Sequence, residues 1–199
     1  MILVVPSLII TLMYFMFDNA PHPPGGLSPF NTACLIMLGV FPLVVMFLIT
    51  SITMQRERAS GTLERILTTP PLRRSDLLAA YGTAFSLAAA AQATLACLVS
   101  YVFLGLHTEG SPVLVFTIAI INAILGVGLG LLCSAFARTE FQAVQFMPVV
   151  IVPQLLLCGG VIVPRAVLPD WLQWISNVLP ASYALEALQQ VGTHAEPTA

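Results

Sequence analysis

Long apolar runs separated by short polar breaks set the pattern of this chain. Residues 1–17 are apolar up to Asp18. Further runs follow at 32–54, 77–106, 113–136 and 141–163. A helix needs roughly 20 apolar residues to cross a hydrocarbon core of about 30 Å, so the last four runs qualify and the first lies at the short end. Met1 leads directly into Ile2-Leu3-Val4-Val5, without the basic segment of a signal peptide, so 1–17 is also read as a span. The pattern predicts an all-α, polytopic membrane bundle of about five transmembrane helices in a single domain, 1–199. Pro42, Pro148 and Pro153 fall inside runs and mark expected kinks.

The breaks differ in character. Residues 18–30 hold four prolines and the adjacent Gly25 and Gly26, which forbid a helix. Residues 107–112 and 137–140 are short polar turns. Residues 55–76 hold Arg56, Arg58, Arg65, Arg73 and Arg74, five of the seven basic residues. An arginine cluster between spans marks a cytoplasmic loop. By alternation the N-terminus is cytoplasmic, 18–30 and 107–112 lie outside, and Arg138 falls on the same side as the cluster. Within the loop, 56–67 is expected as one helix with Leu63, Ile66 and Leu67 on one face. Pro70-Pro71 ends it, and Ser75 is the expected N-cap of the next helix, with Asp76 in its first turn.

The tail after 163 predicts two short outer-face helices within 170–191. Asp170 with Gln173 resembles a capping box, Pro180 breaks the first helix, and Ser182 is the expected cap of the second. Trp171 and Trp174 suit a membrane–water interface. In the fourth run, Gly126 and Gly130 share one face, a pattern that permits close helix packing.

Composition narrows the chemistry. Only 8% of the 199 residues are charged, far below the roughly 25% of a soluble domain. There is no lysine, which removes a phosphate-cradling P-loop and any lysine Schiff base. Cys34, Cys97, Cys133 and Cys158 read as small buried apolar residues. His22, His107 and His194 are far apart, so no metal site is expected.

Gln55-Arg56-Glu57-Arg58-Ala59-Ser60-Gly61-Thr62-Leu63-Glu64-Arg65-Ile66-Leu67-Thr68-Thr69-Pro70 resembles the signature of ABC-2 type transporter permeases, especially the daunorubicin-resistance-like exporters. In that family an E-R-E-x-G-T-L-E-x-L-x-x-T-P pattern follows the second span. The resemblance implies a permease subunit in a bacterial inner (plasma) membrane that pairs with a second permease as a homodimer or heterodimer. It implies a separate ABC ATPase subunit that binds and hydrolyses ATP, so this chain would be no enzyme and would bind no cofactor or metal. Membrane lipid is an expected partner and nucleic acid is not. It implies that 55–76 carries an ATPase-coupling helix, with Glu57, Arg58, Gly61, Thr62, Glu64 and Arg65 as the contact positions. Cargo would be amphipathic drugs, lipids or related compounds, moved by alternating access, and Gln92, Asn122, Gln142, Gln145 and Gln154 suit either such cargo or helix–helix hydrogen bonds.

The chain departs from the family pattern in three places. It shows no N-terminal amphipathic segment, Pro71 follows Pro70, and no sixth span follows the tail helices. The alternative reading is therefore a truncated or non-transporting membrane scaffold. An ion-coupled transporter would need ionisable groups inside the later spans, which carry none beyond Asp76. An intramembrane protease would need a catalytic motif, and none is present.

Overall fold

A computed structural model describes residues 4–17, 29–62, 74–157 and 169–193. These form helices α1 (Val5–Phe17), α2 (Pro29–Ala59), α3 (Arg74–Leu98), α4 (Pro112–Phe136), α5 (Glu140–Leu157), α6 (Asp170–Val178) and α7 (Pro180–Thr193). The chain is a helical membrane bundle. Among the described residues, four helical stretches are long and apolar enough to cross a membrane: Pro29–Ala59, Ser75–Phe103, Pro112–Phe136 and Glu140–Leu157. Helix α1 has 13 residues, about 20 Å at 1.5 Å per residue. It lies beside α2 with Ile10 buried.

Helix α2 is the hub. It starts at Pro29, inside the stretch expected to be loop, because proline at a first helical position loses no hydrogen bond. It also runs five residues past Met54, the last residue of the expected span, so the charged segment Gln55–Ala59 is its final turn. Small residues let its neighbours approach. A Cβ built on Gly126 would lie 2.3 Å from the Leu43 carbonyl oxygen, and one on Gly130 would lie 2.7 Å from that of Phe47. Gly128, between them, faces open space. Helix α3 packs through Ala89, Ala93 and Ala96 onto the same core, which includes Leu38, Met46, Ala119 and Ala123.

Helix α3 ends in a wider turn over Val99–Phe103, where the Leu104 N–H donates to the Val99 carbonyl at 3.2 Å. This stops the third span short of the expected residue 106. Its start, at Arg74, leaves Ser75 inside the first turn, where the hydroxyl donates to the Asp76 carboxylate at 3.3 Å.

The tail helices depart further from expectation. Pro169, not Asp170, is the N-cap residue of α6, and Asp170 occupies the first turn. Pro180 opens α7, so Ser182 lies inside that helix, fully buried, rather than capping it. Ser176 donates to the Leu157 carbonyl at 2.7 Å and lies 3.4 Å from the Ser182 hydroxyl, which ties α5, α6 and α7 together. Helix α7 keeps an exposed face at Tyr183 and Gln190 and packs the other into the bundle. Leu188 and Leu185 come within 3.0 and 3.3 Å of where a Gly39 Cβ would sit, about a third of the way along α2. Its far end meets the α3–α4 turn, with Gly110 N–H donating to Val191 at 2.9 Å and Glu109 N–H to Gly192 at 3.3 Å. Trp171 and Trp174 of α6 remain exposed, as an interfacial helix requires.

Candidate functional site

The last turn of α2 carries the charged part of the motif, and its three consecutive charged side chains reach three different helices. At 3.6 residues per turn, neighbours point about 100° apart, so Arg56, Glu57 and Arg58 radiate around the helix. Arg56 forms a two-pronged ion pair with Glu140 at the start of α5, with Nε to Oε1 at 3.0 Å and a terminal nitrogen to Oε2 at 2.9 Å. Glu57 accepts a hydrogen bond from the Tyr81 hydroxyl of α3. Arg58 donates from one nitrogen to the carbonyls of Ser134 at 3.1 Å and Ala135 at 3.2 Å, in the last turn of α4.

Those two carbonyls need partners. The last four carbonyls of a helix have no intrahelical amide. The amide four residues beyond Ser134 is that of Arg138, and it donates instead to the Gln142 side chain at 2.9 Å. Arg58 supplies the missing donor and places positive charge at the negative end of the α4 dipole. The opposite end of the turn is capped as well. Thr139 accepts the Gln142 amide at 3.1 Å, a variant of the capping box that opens α5. Gln142 therefore spends its amide on capping the first turn of α5.

After Ala59 the chain turns sharply. Gly61 has φ of 71°, a left-handed conformation that glycine adopts without Cβ strain. Ser60 and Gly61 amides donate to the Arg56 and Arg58 carbonyls at 3.0 and 3.2 Å, and the Ser60 hydroxyl lies 2.8 Å from that of Thr62. The single helix expected over 56–67 is therefore broken at Ser60-Gly61, and Thr62 is the last described residue before Arg74. Glu64 and Arg65, with the rest of 63–73, lie outside the described residues. So do Cys158 and positions 158–163 of the fifth expected span.

The remaining named positions fall elsewhere. Gly126 and Gly130 face α2 in the middle of the bundle. Asn122 donates to the Gly39 carbonyl at 2.6 Å, which makes Gly39 a meeting point of α2, α4 and α7. Gln154 donates to its own helix at Val150, and Gln92 is fully buried. No group of three metal-ligating side chains occurs among the described residues. Sequence reading missed the contacts of Arg56 and Arg58 to 134–140, because partners about 80 positions apart leave no local signal. The Thr139-x-x-Gln142 cap was legible.

A multi-span helical bundle with a charged, hydrogen-bonded cluster at one end defines a polytopic membrane protein. Residues 1–191 match the ABC-2 type transporter family, and the chain belongs to it. It is 31% identical over 143 residues to ABC transporter G family member 20 of Dictyostelium discoideum, covering 72% of this chain and 19% of that protein. It is 28% identical over 149 residues to the probable multidrug ABC transporter permease YbhS of Escherichia coli K12, covering 74% of this chain and 39% of the relative. It is 25% identical over 192 residues to the putative transport permease ycf38 of Porphyra purpurea, covering 94% of this chain and 64% of the relative. The chain thus spans less than two thirds of the length of each. No solved structure matches it.

Proposed function

We propose that this chain is the membrane-spanning subunit of an ATP-driven exporter, with ATP bound and hydrolysed on a separate ABC ATPase subunit. It works as a dimer with a second permease, in a bacterial inner membrane, with the N-terminus and the Arg56–Arg58 end in the cytoplasm. The observation that carries this reading is the break at Gly61. It ends α2 immediately before the motif residues Thr62-Leu63-Glu64-Arg65, at a helix end that is itself tied to α3, α4 and α5. A segment that must meet a soluble motor needs such a firm base.

Among the six coupling positions, Thr62, Glu64 and Arg65 meet the ATPase, Gly61 sets the turn, and Glu57 and Arg58 belong to the base. Amphipathic cargo fits the apolar composition, and the multidrug designation of the E. coli relative supports it. Transport by alternating access is the mechanism that this arrangement suits, with two inward- and outward-open states biased by ATP on the partner.

The test is co-purification of the tagged full chain with its ABC ATPase subunit, wild type against Glu64→Ala/Arg65→Ala. The wild type retains the ATPase, and the double variant inserts normally but releases it. An inserted wild-type chain that retains no ATPase ends this reading in favour of a non-transporting scaffold.

A further inference from the structure

The segment after Gly61 is joined covalently to α2 and, through 63–73, to α3. A displacement there reaches those two helices through the backbone alone. Helices α4 and α5 have no such connection. Farther along, α4 packs on α2 through Gly126 and Gly130, but at this end of the bundle the bonds among the described residues that reach α4 and α5 are those of Arg56 and Arg58. The two differ in kind. The Arg56–Glu140 pair is an exposed ion pair, 69% and 46% accessible, that water competes for. Arg58, itself exposed, instead closes on helix-end backbone carbonyls, and the amide four residues beyond Ser134 donates elsewhere. Glu57, bonded to Tyr81, secures the same turn to α3 on another side.

We propose that Arg58 is a positioning residue that fastens the C-terminal end of α4 to the end of α2, so that movement of the coupling segment is delivered to α4 and the α4–α5 turn. Arg58 acts within this chain and makes no contact with the ATPase. The transmission part of this assignment rests on the coupling reading above; the fastening part does not.

Amide hydrogen exchange on the full chain in lipid nanodiscs separates the two. Loss of the guanidinium in Arg58→Ala leaves the Ser134 and Ala135 carbonyls uncapped, and the last turn of α4 frays. Amides in 131–142 then exchange at least five-fold faster, while those of 34–47 keep their wild-type rate. Arg58→Lys, which keeps the charge but not the fork, falls between. Tyr81→Phe, which leaves Arg58 in place, leaves 131–142 unchanged. Equal exchange at 131–142 in wild type and Arg58→Ala overturns the fastening role, and so does a rise spread evenly through the chain.

The second measurement uses the ABC ATPase subunit that co-purifies with the wild type. Arg58→Ala still retains it, but its binding no longer alters exchange at 131–142. Release of the ATPase by Arg58→Ala, with exchange at 131–142 unaltered, makes Arg58 an ATPase contact and overturns the assignment. A wild type that binds no ATPase removes the transmission role and the coupling reading together, and exchange still decides the fastening.

Discussion

At Gly61 the backbone itself is the constraint. Its φ of 71° lies in the left-handed region, and nothing approaches within 4 Å of where a Cβ would stand. Any effect of substitution there is conformational, not steric. An L-residue with a Cβ costs about 1–2 kcal/mol in that region, and asparagine tolerates it better than β-branched residues do. Gly61→Asn should therefore keep most ATPase retention, Gly61→Ala should weaken it by about five- to thirty-fold, and Gly61→Val should weaken it most. Titration of the purified ATPase onto each variant reads the order. Equal retention in all three would mean that the turn is not what presents Thr62 and its successors. Asn122 poses the complementary case, in which a side chain matters through one bond. Its amide donates to Gly39 deep in the bundle, and hydrogen bonds between membrane helices contribute about 0.6 kcal/mol on average, up to about 1.7. Asn122→Ala should lower the thermal midpoint by only a few degrees.

Between elements, the strictest demand is the contact of α4 with α2. The positions where Gly126 and Gly130 would carry a Cβ lie 2.3 and 2.7 Å from main-chain oxygens of α2, and main chain cannot rotate aside as a flexible side chain does. Each alanine substitution forces the helices apart, and overpacking costs typically 1–3 kcal/mol, occasionally more. For a chain of this size each kcal/mol moves Tm by about 2–4 °C. Gly126→Ala should lose the most, Gly130→Ala somewhat less, and Gly128→Ala, facing open space, almost nothing. Thermal unfolding in detergent gives that order, and a large loss at Gly128 with none at Gly126 would contradict the packing. These elements also show what the sequence could and could not tell. Apolar runs locate the spans well, because a helix in lipid must be apolar along its length. Their ends are less legible. The continuation of α2 through Gln55–Ala59 looks like loop by hydropathy, since charge ends an apolar run without ending a helix. The depth of α7 was hidden too, because Leu185 and Leu188 carry the same amphipathic signal whether they face lipid headgroups or Gly39. The charged motif was visible as a pattern, while the partners that give Arg56 and Arg58 their roles lie about 80 residues away and emerge only from the fold.

Taken as a whole, the bundle has two chemically distinct ends. At one, Arg56 and Arg58 bind the α4–α5 turn, so the helix end bearing the motif and the turn bearing Arg138 lie together. At the other, the α3–α4 turn is bonded through Glu109 and Gly110 to the end of α7. This pairing follows from hydrogen bonds, independently of the charge argument that assigns the arginine-rich end to the cytoplasm. The two arguments meet in one experiment. Single cysteines at Ala59, Arg138 and Glu109, all exposed positions, are introduced into a chain with Cys158 replaced by serine. Cys34, Cys97 and Cys133 are buried and give little background. A membrane-impermeant maleimide added to intact spheroplasts should label Glu109→Cys and spare Ala59→Cys and Arg138→Cys, which react only after lysis. Arg138→Cys removes one basic residue but leaves the five of 55–76 to hold the orientation. The reverse pattern would keep the pairing and invert the orientation, placing the proposed coupling segment where no cytoplasmic ATPase can reach it. Labelling that separates Ala59 from Arg138 would break the pairing itself, and with it the fastening of α4 to α2.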